Sequence, residues 1–223
     1  MTNSILVLRR TILLGAFATA VILTAQAAIP ADAVPRGDTA PDALVRSVLT
    51  GLIESIRTDP SLRDGDFDKL QGLMDDKVAP HVDFERMTRL SVGPGWRSAS
   101  LQQRKALIRE FRAYALHTYS GALSRVADER LKVWRVKWQP DETDVTVRTE
   151  FVPSNGDPIP LNYRLEKTPT GWKMYDVTIL GVSMAENFRN SFASVMRQSE
   201  VDDLISALAD RNKELAAGNR PIE

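Results

Sequence analysis

The chain has no cysteine and only two histidines, His81 and His117, in 223 residues. Without thiols there is no disulfide, no thiol nucleophile and no thiolate metal site, so the fold must stand on packing alone. The two histidines do not fall in a metal-ligand spacing, and His117 reads as a helix-surface residue. No Gly-x-Ser-x-Gly elbow and no glycine-rich phosphate loop occurs. Charge of one sign is not in excess either: 29 basic residues face 29 acidic ones. Such a balance argues against a general electrostatic affinity for nucleic acid or for an anionic membrane surface.

Long apolar runs are equally scarce, and the one that stands out lies at the start. Arg9-Arg10 precede an uncharged stretch from Ile12 to Leu23, followed by Ala25-Gln26-Ala27. A basic n-region, a short apolar core and a small-residue site make a secretory signal peptide, too short to span a bilayer comfortably. Residues 1–27 are therefore expected to be removed, with Ala31-Asp32-Ala33 as a second site. Twin-arginine export and an uncleaved anchor stay open as alternatives. Those 27 residues carry two arginines and no acid, so the mature chain has 27 basic against 29 acidic residues, a net charge of −2. Residues 28–40, rich in Ala, Pro and Asp, read as a disordered leader; 41–217 read as one domain and 218–223 as a flexible tail.

Within the domain the hydrophobic period changes twice. From Thr39-x-x-Asp42 with Pro41, a helix carries the stripe Leu44/Val45, Val48/Leu49, Leu52/Ile53 and Ile56. After a polar turn over 57–65, a second helix is expected from Asp66 towards Val78, stopped or kinked at Pro80. Asp83 caps a short helix bearing Phe84, Met87 and Leu90, and Trp96 anchors the Gly93-Pro94-Gly95 loop. Ser100 and Gln103 have capping-box spacing and open the longest helix, to about Leu123. Its apolar face includes Leu107, Phe111 and Tyr114, while Arg104, Lys105, Arg109 and Arg112 form a solvated face.

From Leu131 the period is two. Strands are expected over 131–138 (Trp134, Val136 and Trp138 on one face), 144–152 (Val145, Val147, Thr149 and Phe151), 159–167 (Leu161, Tyr163 and Leu165) and 171–179. In the last, Trp172, Met174, Asp176 and Thr178 point one way and Lys173, Tyr175, Val177 and Ile179 the other. Four strands joined by short turns make an antiparallel meander. Leu180-Gly181-Val182 then breaks the period, and Ser183 with Glu186 three residues on opens a helix bearing Phe188, Phe192, Val195 and Met196. A terminal helix begins at Ser199-x-x-Asp202. Helices, then a meander, then helices read as α+β, a twisted antiparallel sheet of about four strands with helices packed on its concave face.

Few polar groups converge on this apolar surface. Asp176 is the one inward-facing acid; a structural pair with Arg164 is expected, and a buried proton-transfer acid is the enzymatic alternative. Helices and sheet facing each other with Val, Leu, Phe and Met make either an ordinary core or a dry cleft for acyl chains.

The segments VDFERMTRLSVGPGWRSAS (82–100), LIREFRAYALHTYSGAL (107–123), IPLNYRLEK (159–167) and GWKMYDVTILGVSMAENFRNSF (171–192) resemble the MlaC-type, toluene-tolerance family over about residues 44–212. That resemblance implies a nuclear-transport-factor-like fold enclosing an apolar cavity, a periplasmic location and a phospholipid ligand. It further implies two partners, an inner-membrane ABC transporter with a hexameric substrate-binding ring and an outer-membrane lipoprotein–porin complex. The job would be maintenance of outer-membrane lipid asymmetry, with no enzymatic activity, cofactor or metal. Periodicity and resemblance together mark Phe84, Met87, Phe111, Tyr114, Val145, Val147, Phe151, Leu161, Tyr163, Trp172, Met174, Phe188 and Phe192 as lipid-binding wall residues. Three other readings compete: a hopanoid-associated carrier of the same family, a small-molecule enzyme using a similar cavity, and an adaptor with a filled core.

Overall fold

A computed structural model describes residues 39–123, 129–139, 141–198 and 200–217. The signal-peptide segment 1–27, the leader up to residue 38 and the tail 218–223 lie outside the described residues. Helix α1 (Pro41–Thr58) starts on Pro41, whose fixed φ suits a first helical position; Ala40 is its N-cap and no side chain caps it. The polar turn after it holds a single helical turn, α2 (Pro60–Arg63), because Asp59 accepts a hydrogen bond from Ser61 N at 2.9 Å. Asp66 caps α3 (Phe67–Leu73), which widens into a π turn over Met74–Val78 and then a 3-10 turn over Ala79–His81 containing Pro80. Asp83 caps α4 (Phe84–Val92) by accepting from Arg86 N at 2.8 Å. In the next turn, α5 (Gly95–Ser98), Trp96 is buried as expected. The Ser100–Gln103 box closes in both directions and opens α6 (Leu101–Leu123). Here His117 is more than a surface residue: its ring stacks flat on Phe67 at 3.7 Å and ties α6 to α3.

The meander is antiparallel, in the order β1 (Arg130–Val133), β2 (Asp144–Val152), β3 (Ile159–Thr168), β4 (Gly171–Ile179) and β5 (Val182–Ser183). The fifth strand is an addition to the expected four. Leu180 and Gly181 both take positive φ, 51° and 87°, which lets a two-residue turn pair Ile179 with Val182. Helices α7 (Met184–Gln198) and α8 (Val201–Ala216) complete the chain.

Two expectations about strand faces need correction. The first strand stops at Val133, with one further hydrogen bond from Trp134 N to Arg148 O. Leu131 and Val133 stand opposite Phe151 and Thr149, so Trp134 falls on the other face, away from Val136 and Trp138. In β4 the register passes from Arg164–Asp176 to Leu165–Met174, leaving Tyr175 as a bulge. One extra residue reverses the alternation. Trp172 and Met174 therefore share a face with Val177, while Asp176 turns to the opposite face with Arg164.

Apolar side chains gather in two main layers. Val45, Val48, Leu49 and Ile53 of α1 pack on the inner face of the sheet, against Val133, Val145, Val147, Phe151, Tyr163, Leu165, Trp172 and Met174. Helices α4 to α8 form a second cluster around Phe111 and Leu107. A smaller one, around Ile56 and Leu70, closes the end of α1 over α2 and α3. None of the described helices is long and apolar enough to cross a membrane.

Candidate functional site

The thirteen wall residues divide between the two layers. Val145, Val147, Phe151, Leu161, Tyr163, Trp172 and Met174 lie on the inner face of the sheet beneath α1. Met87, Phe111, Tyr114, Phe188 and Phe192 belong to the helical layer. Phe84 belongs to neither cluster; it is half-buried, with the Arg112 guanidinium 4.8 Å from its ring centroid. Val82 joins the layers, packing against both, and it does so because the 82–83 segment pairs with the open edge of β4 at Met174. Residues the sequence reading left out of the wall complete the inner-face layer: the α1 stripe, Val133, Leu165, Val177 and Val82. The stripe on α1 was visible as a helical period, but nothing in that period says which face of the sheet it covers.

Both layers are edged by partly buried apolar side chains, and they differ in what covers them. In the helical layer the rings interlock: Phe111 meets Phe188 edge-on at 5.0 Å and Phe192 at 6.1 Å, while Phe188 and Phe192 lie nearly parallel at 5.8 Å. The inner-face layer is one helix on a sheet, with a partly exposed apolar rim that includes Leu44, Val136, Trp138, Ile159 and Leu161. Beside it a groove of about 620 Å³ runs along α1, lined by Asp42, Arg46, Ser47, Thr50 and Arg135. Arg46 crosses from α1 to donate a 2.8 Å hydrogen bond to Val133 O on the edge strand. A second groove, of about 490 Å³, is lined mainly by outward-facing residues of the sheet, among them Trp134, Arg148 and Asn162. Neither groove is lined by any of the thirteen.

Polar contacts concentrate where α4 meets the sheet. Arg86 pairs with Glu166 and with Asp144 (3.0 Å), and its guanidinium lies 3.5 Å from the centre of the Tyr175 ring. The Tyr175 hydroxyl donates to both Asp144 oxygens, at 2.7 and 2.9 Å. Burial, with that hydrogen bond to Asp144 second, pushes the Tyr175 phenol up to about 12. Glu166 is raised too, first by burial and then by its hydrogen bond with Asp83.

The expected Asp176–Arg164 pair does not form. Asp176 is 1 % exposed and accepts hydrogen bonds from the Ser183 hydroxyl at 2.7 Å and from Ala185 N at 3.1 Å. Arg164 instead approaches Asp144 at 4.0 Å and lies over Tyr175 at 4.9 Å. Although the two residues stand opposite in register, the start of α7 reaches Asp176 first and supplies two aligned donors. Its role is to hold a helix start against the sheet.

The family model described as MlaC protein matches residues 46–210. The chain is 24 % identical over 174 residues to the intermembrane phospholipid transport system binding protein MlaC of Haemophilus influenzae, covering 77 % of this chain and 81 % of that one. It also superposes on a phospholipid-binding protein from Ralstonia solanacearum, solved in complex with a phospholipid, with a TM-score of 0.75 and 34 % identity; the match covers 80 % of this chain and 99 % of that one.

Proposed function

The chain belongs to the MlaC family of phospholipid-binding and transport proteins, and from that premise we propose that it carries one phospholipid at a time across an aqueous compartment between two membranes. The observation that carries this reading is the likeness to a protein solved with a phospholipid bound, which extends over 99 % of that protein. Export to the periplasm follows from the signal-peptide anatomy of residues 1–27, with the carrier domain beginning near residue 41. Its expected donors and acceptors are an inner-membrane ABC transporter with a hexameric substrate-binding ring and an outer-membrane lipoprotein–porin complex. Shuttling between them would maintain outer-membrane lipid asymmetry.

The acyl chains are assigned to the inner-face layer, between α1 and the sheet. A phospholipid leaves its bilayer only if its chains find another dry surface, at about 0.8 kcal/mol per CH₂. The inner face offers Val, Leu, Phe and Trp beneath a single helix with an apolar rim, so α1 can yield without breaking the sheet ladder. Phe111, Phe188 and their neighbours, interlocked in the helical layer, then serve as the solid core against which the sheet is held. The test is transfer: purified, delipidated protein incubated with donor vesicles should leave with bound phospholipid and surrender it to acceptor vesicles. Protein that emerges lipid-free after such incubation contradicts the carrier reading.

A further inference from the structure

Tyr163 stands in the middle of the inner face, paired in register with Val147 on β2 and Val177 on β4. The layer around it is almost entirely hydrocarbon and indole. It is 7 % exposed, and its hydroxyl makes no hydrogen bond among the described residues. Among the described residues, the other buried hydroxyls and the buried carboxylate of Asp176 have partners. Thr149 donates to Leu161 O at 3.0 Å, Thr88 to Phe84 O, Ser91 to Met87 O, Ser120 to His117 O and Tyr175 to Asp144, while Asp176 accepts from Ser183 and Ala185. Tyr163 is the exception.

A hydroxyl in an apolar layer is costly unless something outside the protein reaches it, and phenylalanine would fill the same space without needing a partner. The oxygen is not sealed in, since the one sealed and unpartnered polar side-chain atom among the described residues is Asn212 Oδ1, far along the chain in α8. Burial alone raises the phenol, so it remains a neutral donor wherever the protein is folded. The site therefore presents one fixed O–H in otherwise dry surroundings. It is matched by a ligand that is apolar along its length but carries an acceptor at the head of each chain. In a diacyl phospholipid that acceptor is the ester carbonyl.

We propose that the Tyr163 hydroxyl donates a hydrogen bond to an ester carbonyl of the bound lipid, selecting ester-linked diacyl lipids over alkyl ethers and over polycyclic hydrocarbon lipids. This rests on the phospholipid-carrier reading above. A site built to bond a polar group discriminates against the analogue lacking it, because its own donor is then left unpaired.

The test uses full-length protein loaded by competition from mixed vesicles. These contain a diester phosphatidylcholine and its dialkyl ether analogue, equal in chain length, and bound lipid is quantified by mass spectrometry. Wild type should prefer the ester by roughly tenfold, the size of one net hydrogen bond, and in Tyr163→Phe the ratio should fall towards unity. Melting of lipid-free Tyr163→Phe should occur no lower than wild type, since the empty protein loses no hydrogen bond. Equal loading of both lipids by wild type overturns the assignment while leaving the carrier reading in place. A preference retained in Tyr163→Phe also overturns it. Loading of neither lipid overturns the carrier reading and this assignment with it. The infrared band of the ester carbonyl in bound lipid gives a second reading: a shift to lower frequency in wild type that is lost in Tyr163→Phe supports the bond, and an unshifted band in wild type, or the same shift in both proteins, overturns it.

Discussion

The carboxylate of Asp176 joins the end of the sheet to the start of α7, with one oxygen on the Ser183 hydroxyl and the other on Ala185 N. Removing it leaves one buried and one partly buried donor without acceptors. Asp176→Ala should therefore cost about 2 kcal/mol of stability, and Asp176→Asn about half as much, since the amide keeps one acceptor. Urea unfolding of the two variants measures this; a neutral Asp176→Ala would contradict the helix-anchoring role. His81 makes a different prediction. Burial first and Lys173 second hold its imidazole below the ordinary 6.5. A depressed histidine adds stability above the unfolded value, and that stability is lost as the pH falls below 6.5 through the folded value. Melting curves of the wild type should show this decline, and His81→Gln should flatten it. An identical pH profile for the two proteins would remove His81 from the account.

Among elements, α1 and the sheet carry the assigned ligand layer, and charge distinguishes a yielding layer from a solid one. Val147 is fully buried on the inner face, directly beside Tyr163 in register. Val147→Glu should fold, with water entering as α1 eases off the sheet, but should hold no lipid, because an unpaired carboxylate against hydrocarbon costs several kcal/mol, of order 3 or more. Circular dichroism and lipid analysis on one preparation check both halves. Global unfolding, or full lipid occupancy, would move the ligand elsewhere. In the helical layer, Phe111→Ala should instead lower stability by about 3–5 kcal/mol, as a core truncation does.

The sequence made some of these elements plain and concealed others, for physical reasons. Strands β2 and β3 alternate, with Val145, Val147 and Phe151 in one and Ile159, Leu161, Tyr163 and Leu165 in the other on one face, so period places their ends within a residue. The caps at Asp66, Asp83, Ser100 and Ser183 were equally legible because a capping side chain bonds a neighbour two or three residues away. The bulge at Tyr175 left no local mark, since it arises from pairing with β3, and it reversed the faces of Asp176 and Val177. The division of the wall residues into two layers was hidden for the same reason. Periodicity finds the apolar side of an element but not the element it meets, so Phe188 and Trp172 read alike although they pack in different clusters.

Across the whole molecule, polar anchors gather on one side. Helices α4 to α8 brace the β4 edge through the Val82–Met174 bridge, the Arg86 contacts and the Asp176 anchor, while α1 lies on the remaining inner face. A chain with 29 basic and 29 acidic residues suits a carrier that must leave each membrane as readily as it reaches it, because strong net charge would hold it at anionic surfaces. The central claim is that this fold carries a phospholipid. Its most direct test is to purify the exported protein from cells under native conditions, extract it with organic solvent and identify the extract by mass spectrometry. The account predicts diacyl phospholipid at about one molecule per chain. Repeated preparations of folded protein that yield no lipid, or a hopanoid in its place, would contradict it.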